Sequence, residues 1–223
     1  MKRPKIAPVR IPAWAWDIMV WQDNGKHGPR PKAAPARLPV WYWAWRLWRL
    51  HGRHEIKPKE FTMYDSVDVE QIPEGAAAVA GYVNGRWSTY PKLSKKFPHA
   101  QRLSIAVSAA VDADCLDVEK GDADPWEAAA WVRRQLARGA KRPVVYTSVS
   151  QAPLVLKELK RKGITRNQIR LWTADYTFKP HLCSSKCGYD IGGKADATQY
   201  TDHALGRNLD ASLCSPDFLK ENL

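Results

Sequence analysis

From Phe61 to the C-terminus, short apolar runs recur, several of them separated by helix-like segments. This alternation constrains the chain more than any other feature. FTMYDS (61–66), AAAVAGYV (76–83), RLSIAV (102–107), DCLDVE (114–119), PVVYTS (143–148), IRLWTA (169–174) and DATQY (196–200) read as strands, with NLD (208–210) as a short last one. DPWEAAAWVRRQLARG (124–139) and SQAPLVLKELKRKG (150–163) read as helices. In the first of these, Asp124 suits the cap, Pro125 the first helical position and Gly139 the residue past the end. Strands alternating with helices argue for a parallel sheet. Seven or eight of them argue for closure into a barrel over a doubly wound sheet. No glycine-rich phosphate loop follows the first strand, which removes the commonest nucleotide-binding folds. The expectation is an α/β fold, a compact TIM-type (β/α) barrel over 61–223. That is shorter than the roughly 250 residues usual for such barrels, so some helices must shrink to loops.

Residues 1–60 are different material. They carry 13 Lys/Arg against 4 Asp/Glu, a net of +9 out of the chain's +12, and 7 of its 11 Trp. Ile11–Pro31 and Leu38–Pro58 form a tandem repeat at an offset of 27 residues. Pro12, Trp14, Trp16, Trp21, Gly25, His27 and Pro31 match Pro39, Trp41, Trp43, Trp48, Gly52, His54 and Pro58. Each copy reads as a short helix opened by its proline. Trp41, Trp45 and Trp48 fall on one face. Two readings stand side by side: Trp14, Trp16, Trp21, Trp41, Trp43 and Trp48 bind a cell wall or a partner, or they pack the helices together. A basic stretch suits nucleic acid, anionic lipid or an acidic wall. No nucleic-acid fold signature is present, so nucleic acid is not the expected partner. No apolar run approaches the roughly 18 residues a membrane span needs. The N-terminus lacks the apolar core of a secretory signal, so synthesis in the cytoplasm is expected.

In β/α barrels, chemistry sits at the C-terminal ends of the strands. Asp65, Asp117, Glu119, Asp175 and Asp210 all fall at expected strand ends, with Gln199 beside them. Asp117 and Glu119 are two apart in an expected strand and so face the same way. Two carboxylates this close do not both ionise easily, which is the condition for a general acid beside an ionised helper. A DxE pair is also an ordinary solvated strand end, so the pair alone does not decide. Tyr82, Arg86 and Trp87 follow the second strand, where Trp87 could stack on a sugar or pack its loop. With these three, Tyr146, Trp172, Asp175 and Gln199 are the expected substrate-binding residues, Trp172 reading equally as pocket wall or barrel core. Among the four cysteines, a local Cys183–Cys187 disulfide is the preferred reading. Free thiols and a zinc site made with His181 and Cys214 are the alternatives, and the Cys-x3-Cys spacing lacks a second matching pair. No metal and no cofactor are expected.

YDS at Asp65, CLDVEKGDA around Asp117 and Glu119, RPVVYTS at Tyr146, LWTADY at Trp172 and ATQYTDHALGRNLDASLC through Gln199 and Asp210 occur in that order over about 150 residues. This ordered set resembles the family 25 glycoside hydrolase lysozymes, and more closely the glycoside-hydrolase-like barrel domain of actinobacteria and their phages. The resemblance implies hydrolysis of the β-1,4 bond between N-acetylmuramic acid and N-acetylglucosamine in peptidoglycan. It implies Glu119 as the acid, Asp117 as the supporting carboxylate, and Asp65 and Asp210 lining the same pocket. The partners implied are a cell-wall glycan and virion proteins, with action at a bacterial wall or in a phage particle. The alternative it carries is a catalytically silent barrel serving as a phage structural or wall-binding protein. One departure is visible. About 50 residues separate Asp65 from Asp117, and GYVNGRWSTYPKLSKKFPHA stands where the lysozymes have a longer strand–helix run.

Overall fold

The structure is a computed structural model that describes residues 59–219. The tandem repeat, with Trp14, Trp16, Trp21, Trp41, Trp43 and Trp48, lies outside the described residues. Eight strands close into a barrel in sequence order: β1 (Phe61–Asp65), β2 (Ala78–Tyr82), β3 (Gln101–Ala106), β4 (Cys115–Asp117), β5 (Val144–Ser148), β6 (Arg170–Ala174), β7 (Ala197–Thr201) and β8 (Asp210–Cys214). Three α-helices accompany them among the described residues: α1 (Tyr90–Lys96), α2 (Ala128–Ala137) and α3 (Ala152–Arg161). The fold is thus a mixed α/β closed barrel. No helix among the described residues is long and apolar enough to cross a membrane.

Six pairings, β1–β2 through β6–β7, are parallel as expected, but β8 is antiparallel to both β7 and β1. A short connection permits the reversal. Only residues 202–209 join β7 to β8, too few for the crossover of a dozen or more residues that a parallel return needs. The last strand therefore starts at Asp210 instead of ending there. β3 and β4 remain parallel across an equally short link because they are staggered, Ile105 pairing with Cys115. Asp114 fills the resulting gap. Its Oδ2 accepts from Ser104 N (2.9 Å) and Ser104 Oγ (2.6 Å), and its own N–H donates to Ser104 Oγ (2.9 Å). A side chain thus completes the ladder where backbone pairing has not begun.

The strands alternate as a closed barrel requires. Met63, Ala80, Leu103, Ile105, Val144, Tyr146 and Trp172 fill the interior. Phe218 and Leu219, just past β8, join that cluster, with the turn held by Phe218 N–H donating to Ser215 O (3.0 Å). The barrel is therefore packed at the end where β1 begins and β8 finishes. Outside the strands, Leu116, Val145, Val155 and Leu159 form a second core with Ala128, Trp131 and Val132 of α2. Trp131 is fully buried because its indole N–H reaches Val111 O at 2.9 Å.

Helix α2 begins at Ala128 rather than Asp124, because Glu127 bends its carboxylate back to the Asp124 N–H (2.9 Å) and the preceding residues form a turn. Gly139 (φ 104°) closes the helix as expected. Helix α1 was not expected, because YPKLSKK is short and has one buried residue, Leu93. It forms because β2 offers a flat seat at Gly81. A Cβ there would lie 3.1 Å from Thr89 Oγ1 and 3.2 Å from Leu93 Cδ1. Gly81→Ala should therefore push α1 off β2 and cost about 1–3 kcal/mol, as overpacking does. A denaturant titration in which the variant matched wild type would show that α1 yields freely.

Candidate functional site

The rim at which β1–β7 end collects the acidic residues. Asp65 is the last residue of β1, and Asp117 the last of β4. Asp210 reaches the same rim because β8 runs backwards, its first residue pairing with Asp65. Glu119 lies two residues beyond β4, in a turn closed by Asp122 N–H to Glu119 O (3.0 Å) and Ala123 N–H to Asp117 O (3.2 Å). Asp65 and Asp117 are buried, while Glu119 and Asp210 are half-buried. Asp65 Oδ2 and Asp117 Oδ1 have no hydrogen-bond partner among the described residues.

These groups act on one another. Burial, then the charge and hydrogen bond of Asp210, then Asp117 raise the Asp65 carboxyl well above its usual range. Asp117 is raised well above the usual range by burial first, then by Glu119 and Asp122. Glu119 is raised by burial and by Asp122, against a lowering hydrogen bond from the Ser148 backbone. Burial, followed by the charges of Asp65, Asp117 and Asp210, raises the Tyr82 phenol, which places Tyr82 among them.

Gln199 links the acids to the aromatic residues of the mouth. Its Oε1 accepts from Tyr146 Oη (2.8 Å), its Nε2 donates to Tyr176 Oη (3.1 Å), and it also bonds Asp210. A bulge at Tyr200, where β7 carries one residue more than β8, follows directly. Such bulges re-aim side chains beside sites. Tyr176, half of its surface exposed and its phenol pushed up to about 12 by burial, was missed at the sequence level, although it directly follows Asp175 in LWTADY. Asp122 was likewise not singled out for the site. The loops after β2, β4 and β6 present exposed aromatics at this end: Trp87 with Arg86 stacked on it at 4.8 Å, Trp126, and Tyr176.

Two expected contacts are placed elsewhere. Trp172 is 1% exposed and belongs to the barrel interior, under Tyr146 (ring centroids 4.6 Å), so it cannot touch a ligand. Asp175 follows β6, but its carboxylate turns to His181 (3.1 Å) and Cys183 (3.3 Å), away from the acid cluster. The two cysteines expected to pair, Cys183 and Cys187, are brought together unbridged, with Sγ atoms 2.7 Å apart. A separate groove of about 530 Å³ lies between α3 and residues 164–166 and 190–192. It contains none of the clustered acids.

No family model, curated protein or solved structure matches the chain. The mouth's function must therefore be argued from its own geometry.

Carboxyls raised by burial also make a statement about stability. The folded state holds protons that the unfolded chain releases at ordinary carboxylate pKa values. This stabilising contribution is complete below those values and is lost as pH rises through the raised ones. Asp65→Asn removes one such group. It should stabilise the fold by about 1–3 kcal/mol at pH 8, seen as a higher midpoint of thermal unfolding, and change it little at pH 4. Equal effects at both pH values would show that Asp65 is not held protonated.

Proposed function

We propose that the barrel mouth is the site of a peptidoglycan-directed glycoside hydrolase of muramidase type, built on a compact TIM-type barrel whose eighth strand is reversed. The carrying observation is the gathering of Asp65, Asp117, Glu119 and Asp210, from segments far apart in sequence, at one rim, with Glu119 held above the usual carboxylate range. Glycoside hydrolysis needs a proton donor to the leaving oxygen and a second carboxylate for the cationic carbon. Of the acidic pair, Glu119 is the more accessible. A raised affinity for its proton suits it to donate near neutral pH.

In this reading Glu119 protonates the glycosidic oxygen as the bond to C1 breaks. The carbonyl oxygen of the sugar's own N-acetyl group attacks C1 and closes an oxazolinium ring. Ionised Asp117 accepts a hydrogen bond from the acetamido N–H and takes up that proton as the ring closes, returning it to nitrogen when the ring reopens. Water then adds to C1, its proton passing to Glu119, and the ring reopens. Tyr82, Gln199 and Tyr176 supply hydrogen bonds to sugar hydroxyls. Exposed Trp87, Trp126 and Tyr176 offer ring faces of the kind that stack on pyranose rings. In the chain as a whole, the Trp-rich repeat would then serve as the wall-binding part, acting at a bacterial wall or within a phage particle.

Incubation with purified bacterial cell walls tests the reading: reducing ends should accumulate and turbidity should fall. Wall binding with no reducing ends from any wall chemotype would favour a silent, wall-binding barrel and end the catalytic claim.

A further inference from the structure

A second cluster of chemically active side chains lies outside the acid cluster. The carboxylate of Asp175, Nε2 of His181 and the Sγ atoms of Cys183 and Cys187 all fall within 4.8 Å of one another. The separations include 2.7 Å between the two sulfurs, 3.1 Å from His181 Nε2 to Asp175 Oδ2, 3.3 Å from Cys183 Sγ to the same oxygen and 3.5 Å from Cys183 Sγ to His181 Nε2. A tetrahedral zinc ion with sulfur at about 2.3 Å and nitrogen or oxygen at about 2.0–2.2 Å has edges of about 3.3–3.8 Å. The four groups need only small side-chain shifts to form that tetrahedron.

We propose that Asp175, His181, Cys183 and Cys187 bind one zinc ion in a closed, structural site. Three features beyond proximity support the assignment. First, His181 is already presented as a ligand. Its Nδ1 lies 2.9 Å from Lys179 O and 3.1 Å from Thr177 Oγ1. A proton on Nδ1 donated to that carbonyl leaves the Nε2 lone pair facing the cluster, the arrangement that orients metal-bound histidines. Second, the scaffold is fixed. The Cys183 N–H donates to Thr198 Oγ1 of β7 (2.9 Å), Cys183 O accepts from Ala195 N–H (2.8 Å), and a 3-10 turn at Ser185–Cys187 folds the second sulfur back onto the first. Third, the loop has little else to hold it. Residues 175–196 join β6 to β7 with only that 3-10 turn as regular structure, an uncommon length for a loop in a compact domain unless something fastens it.

The donor set selects the ion. Two thiolates exclude magnesium and calcium, which take oxygen ligands, and a tetrahedral sulfur, nitrogen and oxygen set suits zinc. Four protein ligands leave no open position, so the site holds structure and does not activate water. Its position gives it a consequence. Asp175 N–H donates to Gln199 O (2.9 Å), and the next residue, Tyr176, bonds the Gln199 side chain. Zinc would thus fasten the loop that sets Tyr176 at the barrel mouth. This inference is independent of the catalytic reading, since its readouts are metal content and spectra.

The full chain, grown with zinc and purified without chelator, should carry one zinc per molecule by elemental analysis. After zinc is stripped, added cobalt(II) should give the strong visible bands of a tetrahedral site and thiolate charge-transfer absorption. Cys187→Ser should halve the charge-transfer intensity and weaken zinc binding on the order of 100-fold or more, and Asp175→Asn should weaken it about 10–100-fold. His203→Asn, at an exposed histidine outside the cluster whose ring bonds Asp202, should bind as wild type does. No zinc retained together with no tetrahedral cobalt spectrum overturns the assignment. So does recovery of Cys183 and Cys187 as an oxidised pair in thiol counting of freshly purified protein, and so does equal loss of metal in His203→Asn.

Discussion

Glu119→Gln should lower reducing-end release from cell walls by about 10²–10⁴-fold, the contribution of a general acid, while leaving wall binding intact. The amide fills the same space and still accepts the Ser148 backbone hydrogen bond, but it cannot deliver a proton. Asp117 should then be easier to ionise, because Glu119 is the foremost neighbouring charge opposing it. The variant should therefore also melt slightly higher at neutral pH. The activity of wild type should fall on the alkaline side at a pH above the ordinary glutamate value, since burial and Asp122 raise Glu119. A variant as active as wild type would remove Glu119 from the mechanism and leave the mouth without its proton donor.

Trp172→Ala should be the most destabilising single change in the barrel. Trp172 is 1% exposed, packs against Tyr146 at 4.6 Å and Phe218 at 6.2 Å, and donates its indole N–H to Ser212 Oγ at 2.9 Å. Truncation opens a cavity in the middle of a closed barrel whose strands cannot collapse inward, and it strands a buried serine hydroxyl. A loss of about 3–5 kcal/mol is expected from the cavity, lowering the thermal midpoint by about 10 °C for a domain of this size. Tyr146 rests on the same ring, so Gln199 loses its fixed partner and the mouth should loosen as well. Chemical denaturation with the midpoint shifted by less than a third of this would show that Phe218 and Leu219 refill the space.

Much of the barrel is legible in the amino-acid sequence alone. Seven of the eight expected strands fall within a few residues of their observed positions, because a strand buried in a barrel wall must be a short apolar run bounded by turns. The strand ends carrying Asp65 and Asp117 followed from that, and Gly139 marked where α2 stops. The direction of the last strand was not legible, since the alternation of side chains is the same in either direction. The short link of residues 202–209 permits the reversal but does not impose it, since an equally short link joins the parallel, staggered β3 and β4. Helix α1 was hidden because its stability comes from the seat at Gly81 and not from its own seven residues.

The candidate site divides the same way. By itself the sequence determined that Asp65 and Asp117 end strands and that Glu119 follows Asp117 closely, because local spacing sets these relations. Only the tertiary structure decided that Asp210 meets Asp65 across the reversed β8, that Gln199 links Tyr146 to Tyr176, and that Asp175 joins His181 and two cysteines instead of the acids. Each of those relations depends on strand direction and loop path. Such long-range contacts arise from closing the barrel, and no local pattern of residues encodes them.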